Sequence, residues 1–167
     1  TLFNKAIKIN PNNPSINNNL GNIFFELGES QKALDFYETA IKLQPNFSQT
    51  HYNIGIIFYN LGKTQKAINS FEKVYEINWL NMMRDKLGLF GENPKDQILI
   101  LDLLTWMHQN KADYTNTFCF LMNEKIKDDS IYNSKSFIIW KKRWEERLKV
   151  NNDAPKKNLK LMRSVNP

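Results

Sequence analysis

A motif that returns after 34 residues is the feature of this chain that most restricts its fold. Eight positions of one copy have counterparts one period later, and most counterparts are similar side chains. The positions are Leu20, Gly21, Phe24, Gly28, Ala33, Tyr37, Ala40 and Pro45, and then Ile54, Gly55, Phe58, Gly62, Ala67, Phe71, Val74 and Trp79. The end of an earlier copy is visible at Phe3, Ala6 and Pro11. A fixed period of this length is typical of repeat proteins, in which stacked units share one continuous core.

Within each copy the residue types predict two helices joined by a tight turn. Small residues such as Gly21 and Ala33 allow the two helices to cross closely. Gly28 falls between the helices, where a left-handed backbone favours a residue without Cβ. Pro45 ends the second helix, because proline cannot donate the next backbone hydrogen bond. The sequence therefore predicts an all-α fold.

This pattern resembles the tetratricopeptide repeat, a helix–turn–helix unit whose arrays bind other proteins. The resemblance implies a solenoid of two complete repeats and a partial one over residues 1–79, with a protein or peptide as the partner. Because roughly three or more units are needed to bury the faces of a solenoid, we expect further repeats to precede Thr1 in a longer parent protein.

The first helix of each unit lines the inner groove of such an array, which identifies the candidate partner-binding residues. They are Asn18, Asn19, Asn22, Phe25 and Glu26 in the first complete unit, and Tyr52, Asn53, Ile56, Tyr59 and Asn60 in the second. Asn19 and Asn53 are one period apart, and stacked amides can donate to and accept from an extended peptide backbone. The alternative is that these amides are only hydrated. Lysine-rich clamps for a C-terminal carboxylate are absent, which disfavours a chaperone tail as the ligand.

The period ends after Trp79, and the charge balance changes at the same place. Residues 1–79 carry 7 Lys, no Arg and 6 acidic residues, whereas residues 80–167 carry 16 basic and 11 acidic residues. We therefore predict two domains, 1–79 and 80–167. The second domain is also expected to be helical, since no run alternates apolar and polar residues as a strand would.

Apolar spacing and one capping residue predict the first two helices of the second domain. One covers Lys95–Gln109, and the next covers Tyr114–Glu124 with Asp113 as its N-cap. The first of them has a broad stripe of apolar residues that is expected to be buried: Ile98, Leu101, Leu103, Leu104, Trp106 and Met107.

The sequence of the remaining part of the second domain predicts a loop and two further helices. Lys127–Ser134 is expected to form a polar loop, after which Ser134 or Ser136 caps a third helix. Asp153 is expected to open a last, short helix. The residues expected on the buried faces of these helices are Phe137, Trp140, Trp144, Leu148, Leu159 and Met162.

Four ordered blocks, within about residues 71–167, show a second resemblance. They are Met83-Arg84-Asp85-Lys86-Leu87-Gly88-Leu89, then Ala112-Asp113-Tyr114-Thr115-Asn116-Thr117-Phe118, then a helix with Phe137, Trp140, Trp144, Arg147 and Leu148, and finally Leu161-Met162-Arg163-Ser164-Val165-Asn166-Pro167. Together they resemble the selenoprotein O family, kinase-like proteins that transfer AMP from ATP to protein hydroxyls. The resemblance implies that these blocks belong to the helical C-terminal part of that family, beyond the nucleotide site.

The same resemblance implies ATP and Mg²⁺ as cofactors of an intact parent protein, and none for this chain. Nucleotidyl transfer needs a phosphate cradle, a positioning lysine and metal ligands. The sequence contains no glycine-rich phosphate loop and no His-Arg-Asp-like catalytic loop. We therefore expect no catalytic, cofactor-binding or metal-binding residues here. Two functions remain open: a protein-binding scaffold, or part of an adenylyltransferase whose catalytic core lies elsewhere.

The junction between the two resemblances is ambiguous. Phe71, Tyr75, Trp79, Met82 and Met83 can end a repeat helix, or they can form the helix that leads into the first block. A single helix shared by both domains satisfies the two patterns. A sequence that joins two genes through an assembly artefact satisfies them as well.

Other side chains that could take part in catalysis or binding are better explained by structural roles. Cys119 stands where the selenoprotein O family usually has Arg, lies between two phenylalanines and is expected to act as a small buried apolar residue. His51 and His108 have no neighbouring ligands, so a metal site or an acid–base role is not expected. The basic residues between Lys141 and Arg163 are interrupted by acidic ones, which favours a hydrated helix face over a nucleic-acid site.

Length and hydropathy favour a soluble protein of the cytoplasm. The longest apolar stretch, Ile98–Leu104, is interrupted by Asp102 and is too short to cross a bilayer. No secretory leader opens the chain, and one cysteine excludes an internal disulfide.

Overall fold

The fold is helical wherever it is described. The computed structural model describes residues 10–124, 126, 130–150 and 155–166. All regular secondary structure in these ranges is helical, which confirms the predicted all-α fold. None of the helices described there is both long and apolar enough to cross a membrane.

The chain divides into two compact units, Thr1–Trp79 and Leu80–Pro167. From residue 10 onward, the first unit contains two helical hairpins, built from the following helices. They are α1 (Pro14–Glu26), α2 (Ser30–Leu43), α3 (Ser48–Asn60) and the first part of α4 (Thr64–Lys86).

The turn inside each hairpin has the predicted glycine. Gly28 and Gly62 have φ angles of +78° and +67°, in the left-handed region that disfavours a Cβ. The N–H of each following residue reaches back to a helix carbonyl: Glu29 donates to Phe24 and Lys63 donates to Phe58. These 34-residue equivalents form the same helix end twice, which is the basis of the internal repeat.

The junction after Trp79 is a single helix. Helix α4 continues without interruption for 23 residues and ends at Lys86, inside the first block of the second domain. The residues that fitted two patterns therefore lie on one continuous helix.

The core of the hairpins is formed by an aromatic ring that lies against a glycine backbone. Ala33, Tyr37 and Ala40 on α2 are almost completely buried. A Cβ added to Gly21 would lie 2.5 Å from Cδ1 of the Tyr37 ring, so only glycine leaves room for that ring. One repeat later, a Cβ added to Gly55 would lie 2.6 Å from the ring of Phe71 on α4.

Within its described residues the second unit contains four further α-helices and a short 3-10 helix. They are α5 (Asp96–Asn110), α6 (Tyr114–Leu121), the 3-10 helix (Ser130–Asn133), α7 (Lys135–Lys149) and α8 (Pro155–Val165). Two predicted N-caps are confirmed: Asp113 accepts from the N–H of Asn116 at 2.7 Å, and Ser134 accepts from the N–H of Phe137 at 3.4 Å. Helix α6 ends three residues earlier than predicted.

The predicted buried stripe of α5 is partly wrong. Ile98 and Leu101 are 57% and 46% exposed, whereas Leu99 and Ile100 are buried together with the predicted Leu103. Apolar residues surround most of this helix, so spacing alone does not determine which face is buried. The packing of α7 decides it, since the indole Nε1 of Trp140 donates to the carbonyl of Leu99 at 2.8 Å.

The predicted polar loop before α7 also needs correction. Residues 127–129 lie outside the described residues, and the remainder forms the 3-10 helix. Tyr132 in that helix is buried, and its ring stacks on Phe120 at a centroid distance of 4.3 Å. Asp153, the predicted start of α8, lies outside the described residues as well.

We expect Gly21→Ala to destabilise the first unit more than Gly55→Ala does. Both substitutions add the same helix propensity, so the difference between them reports packing. Tyr37 is fully buried and cannot move away, whereas Phe71 is only half-buried and can shift. Overpacking of this kind costs about 1–3 kcal/mol in the free energy of unfolding. Chemical denaturation followed by circular dichroism measures both variants, and equal stabilities would contradict this account of the core.

Candidate functional site

The candidate groove of the first unit has a network of side-chain hydrogen bonds at its centre. Asn18 Oδ1 accepts from the Thr50 hydroxyl at 2.9 Å and from Asn53 Nδ2 at 3.1 Å. Asn53 Nδ2 also donates to Asn22 Oδ1 at 2.9 Å, and the Tyr37 hydroxyl donates to the same oxygen at 2.7 Å. These bonds link α1, α2 and α3, so three of the predicted groove residues are positioned by one another.

The hydroxyl of Tyr37 fixes the direction of this network. Burial, and to a smaller extent the carboxylate of Glu26, raises the pKa of Tyr37 to about 12. The phenol therefore stays protonated and remains a hydrogen-bond donor to Asn22 throughout the neutral pH range.

The other predicted groove residues surround the network with different exposures. Asn18 is buried and Asn22, Asn53, Ile56 and Phe25 are half-buried, Phe25 against the core between the repeats. The exposed candidates are Asn19, Glu26, Tyr52, Tyr59 and Asn60. The fold therefore arranges a floor of fixed amides with exposed polar and aromatic groups around it.

The oxygen at the centre of the network, Asn22 Oδ1, has no lone pair left for a ligand, whereas the amide nitrogen of the same side chain can still donate. Both lone pairs of Asn22 Oδ1 are used, by Tyr37 and by Asn53, and both Nδ2 hydrogens of Asn53 are used in turn. Among the described residues, none accepts a hydrogen bond from Asn22 Nδ2. An amide held in this way can donate to a carbonyl oxygen, the acceptor that an extended peptide presents at every residue.

In the second unit the sequence blocks converge on the turn that follows α4. Gly88 has a φ angle of +66°, and the carbonyls around it accept from three side chains that are distant in the sequence. Trp144 Nε1 donates to Leu87 O at 2.9 Å, and Asn158 Nδ2 donates to Gly88 O at 2.8 Å. Asn166 Nδ2 donates to the carbonyl of Lys86 at 3.0 Å. Three of the four blocks therefore meet at one backbone turn.

The remaining block reaches the same turn through aromatic contacts. The ammonium group of Lys86 lies 5.5 Å from the centroid of the Tyr114 ring and 5.7 Å from that of Phe118. It also donates to the carbonyl of Val165 at 3.2 Å. The residues that show the second resemblance thus hold one helical core together.

A buried salt-bridge network lies beside this turn. Its members are Arg84, Asp96 and Arg147. Arg84 Nε donates to Asp96 Oδ2 at 2.7 Å, and Arg147 Nε donates to Asp96 Oδ1 at 2.6 Å. Arg147 Nη2 adds a bond of 3.1 Å to Oδ2, and the N–H of Asn93 adds one of 3.0 Å. All three charged side chains are buried, so their charges are compensated by each other rather than by water.

The carboxylate oxygens of Asp96 are fully hydrogen-bonded, which makes Asp96 unsuited to act as an acid, a base or a metal ligand. Burial alone would raise the pKa of Asp96, but hydrogen bonds from Arg147 and Arg84 outweigh it, and the pKa lies below its ordinary value of 3.8. Four donors use its lone pairs, so it cannot also take a proton or bind a metal at neutral pH. It acts as a structural anchor for α5 and α7.

Sequence reasoning missed this salt-bridge network and placed Arg147 incorrectly. Arg147 was expected on a hydrated basic face, whereas it is buried and also donates to the carbonyls of Phe90 and Gly91 at 3.1 and 2.9 Å. A signal was available: an aspartate at the start of a helix rich in apolar residues, and arginines inside two of the blocks. Arg143 does face outward, where it pairs with Asp102 at 2.6 Å.

The surroundings of Cys119 and His51 fit structural roles rather than catalytic ones. Cys119 is half-buried rather than fully buried, and burial together with the Glu124 carboxylate raises the pKa of its thiol. A raised thiol pKa lowers the thiolate fraction and makes the residue a poor nucleophile. His51 Nε2 lies 2.8 Å from the carbonyl of Pro45.

Comparison with protein families identifies the first unit. Three tetratricopeptide repeat families match residues 2–35, 21–62 and 48–78. The first unit is a tetratricopeptide repeat array. Such repeats are protein-interaction modules, so the prediction that this chain contains a protein-interaction module is confirmed.

Comparison with curated proteins supports the second resemblance for part of the chain. The protein nucleotidyltransferase YdiU of Pelagibacter ubique is 52% identical over 96 residues, which is 58% of this chain and 20% of the relative. The proteins of the same name from Alcanivorax borkumensis and Clostridium botulinum are 48% and 44% identical over 93 and 95 residues, which is 56% and 57% of this chain and 19% of each relative. The chain therefore spans about a fifth of the length of these relatives. No solved structure matches the chain.

We expect Asp96→Ala to destabilise the second unit strongly, whereas Asp102→Ala has a small effect. Both residues lie on α5 and pair with an arginine of α7, so they form a matched comparison. Loss of Asp96 leaves two buried guanidinium groups without a counter-ion and costs about 3–5 kcal/mol. Loss of the exposed Asp102 pair costs at most about 1 kcal/mol. Urea denaturation followed by tryptophan fluorescence, in a Trp79→Phe background, measures the second unit, and equal effects would rule out the buried anchor.

The Asp96 contribution also depends on pH. Because its pKa is lowered in the folded state, the stabilisation is fully present above the ordinary value of 3.8 and is lost as the pH falls through the folded-state pKa. The stability difference between the wild type and Asp96→Asn should therefore be constant near neutral pH and shrink in acid. A difference that grows in acid would have the wrong sign for this mechanism.

Proposed function

We propose that this chain is a protein-binding scaffold that captures an extended peptide on the groove formed by α1 and α3. The observation that supports this is the fixed amide network of Asn18, Asn22 and Asn53, bordered by the exposed Asn19. Its donors match the carbonyl groups of a peptide backbone.

The rigidity of the network favours binding. A side-chain amide that is already held in place loses little conformational entropy when a ligand arrives, so more of each hydrogen bond contributes to affinity. Tyr52 and Tyr59 provide exposed aromatic surface on α3, which suits alternate side chains of an extended peptide. Backbone recognition of this kind tolerates many sequences, and the aromatic residues would select among them.

We expect Asn19→Ala to weaken peptide binding about tenfold without a loss of stability. Asn19 is exposed, so its removal leaves the folded core intact. Peptides selected from a random phage-displayed library on the wild-type chain provide the ligands, and titration calorimetry provides the affinities.

The matched control is Asn69→Ala, an exposed amide on the second helix of a repeat. Asn53→Ala is expected to weaken binding too, but with a lower melting temperature, since Asn53 holds three other side chains. Equal affinity of Asn19→Ala and wild type for every selected peptide would exclude the groove.

A second candidate function rests on the relatives named as protein nucleotidyltransferases. We propose that the second unit is a structural part of such a protein and that the transfer chemistry belongs to residues outside this chain. The basis is the chain's coverage of about a fifth of the relatives and the structural use of the shared blocks.

We expect the purified chain neither to bind Mg-ATP nor to transfer AMP. Nucleotidyl transfer requires metal ions and cations fixed against the phosphates. Asp96 is already paired with two arginines, and no group of three His, Cys, Asp or Glu in the described part of the chain could hold a metal ion. Titration calorimetry with Mg-ATP should give no heat of binding, and labelled ATP should not modify a generic protein acceptor. Micromolar affinity or label above background would refute this assignment.

A further inference from the structure

The interface between the two repeats is formed by a defined set of side chains. Ile54 and Ile57 of α3 pack with Leu34 and Tyr37 of α2 in one buried cluster. Three residues at the margin of repeat one, Phe24, Phe25 and Ile41, pack against that cluster. Helix α3 is therefore an amphipathic helix that packs on the face of repeat one that is turned toward repeat two.

Several of the same positions in repeat two are exposed, although the counterparts of Phe24 and Tyr37, which are Phe58 and Phe71, are half-buried. Leu34 is 8% exposed, whereas its counterpart one period later, Ile68, is 43% exposed. The other counterparts are Tyr52 for Asn18, Tyr59 for Phe25 and Tyr75 for Ile41, and they are 46%, 69% and 72% exposed. We call Tyr52, Tyr59, Ile68 and Tyr75 the end face. Every member is aromatic or branched apolar, in positions that repeat one uses for docking.

We propose that the end face binds an amphipathic α-helix of another protein, in the position that α3 occupies on repeat one. The argument is equivalence with an interface already present in the chain. A helix docks on repeat one through four positions spaced i, i+3, i+4 and i+7: Thr50, Asn53, Ile54 and Ile57. The partner helix presents its own residues at the same four spacings.

The chemistry of the end face specifies which residues that helix carries. On repeat one, Thr50 and Asn53 donate to Asn18 and Asn22. On the end face these two asparagines are replaced by Tyr52 and Ile56. A hydroxyl or amide would lose these two amide acceptors there, and only the tyrosine hydroxyls of the end face could replace them. We therefore expect the partner helix to carry apolar residues in place of Thr50 and Asn53, unlike α3.

The end face shares Tyr52 and Tyr59 with the candidate groove, but its other two members lie outside the groove. Ile68 and Tyr75 lie on α4, whereas the candidate groove residues lie on the first helices α1 and α3. Substitutions on α4 therefore test the end face and leave the amide network in place.

The probe is a hydrocarbon-stapled peptide of residues 46–62 that contains Thr50→Leu and Asn53→Leu, with the staple joining positions 52 and 59 on the opposite side. A staple is needed because an isolated helix of this length is marginal in water. Fluorescence anisotropy measures its binding to the wild-type chain and to Ile68→Asp, Tyr75→Asp and Asn19→Ala. Leu27→Asp is the matched control, since Leu27 is an exposed apolar residue of the first unit in a hairpin turn.

We expect the wild type, Leu27→Asp and Asn19→Ala to bind the probe alike, and Ile68→Asp and Tyr75→Asp to bind it about tenfold more weakly or worse. The unaltered peptide with Thr50 and Asn53 should bind more weakly than the probe. Absence of binding to the wild type, or equal binding by the α4 variants, overturns the proposal. Sedimentation that shows a dimer dissociated by Tyr75→Asp also overturns it, because the face then binds a second copy. Loss of binding only in Asn19→Ala would assign the probe to the groove instead.

Discussion

Side chains that pack directly on a glycine backbone set the geometry of both units. The pairs are Tyr37 on Gly21, Phe71 on Gly55, and Met162 with Asn158 against Gly88. Because no Cβ stands between the elements, they approach closely and exclude water from the contact. In the first unit this spacing fixes the angle of each hairpin, and with it the groove and the end face. In the second unit it places α8 against the turn that follows α4.

Polar side chains then fix the register of elements that apolar packing alone would leave loose. In the first unit Asn22 and Asn53 connect neighbouring helices through amide bonds. In the second unit Asp96 holds Arg84 and Arg147 through charged bonds in a buried site. Both networks use nearly all the hydrogen-bonding capacity of their central acceptor, as buried polar groups require. They differ in consequence, since the amide network retains donors for a ligand and the carboxylate retains nothing for chemistry.

Local signals predicted much of the helical arrangement. Gly28 and Gly62 end their helices in the left-handed region, and Asp113 and Ser134 cap theirs, because each effect acts within four residues of the chain. The buried face of α5 was not predictable in this way. Its apolar residues cover several sides, so the contact with α7, more than thirty residues away, selects the buried face.

The 34-residue period by itself determined the all-α repeat fold, since each copy repeats the residues that one hairpin needs. The ordered blocks likewise determined which curated proteins the remainder resembles. Only the tertiary structure decided what those residues do. It brought Asp96 between two arginines that lie 12 and 51 positions away in the chain, and it engaged Asn18, Asn22 and Asn53 with one another. Hydrogen-bond partners depend on distance in space, and spacing along a chain limits that distance only within one helix or turn.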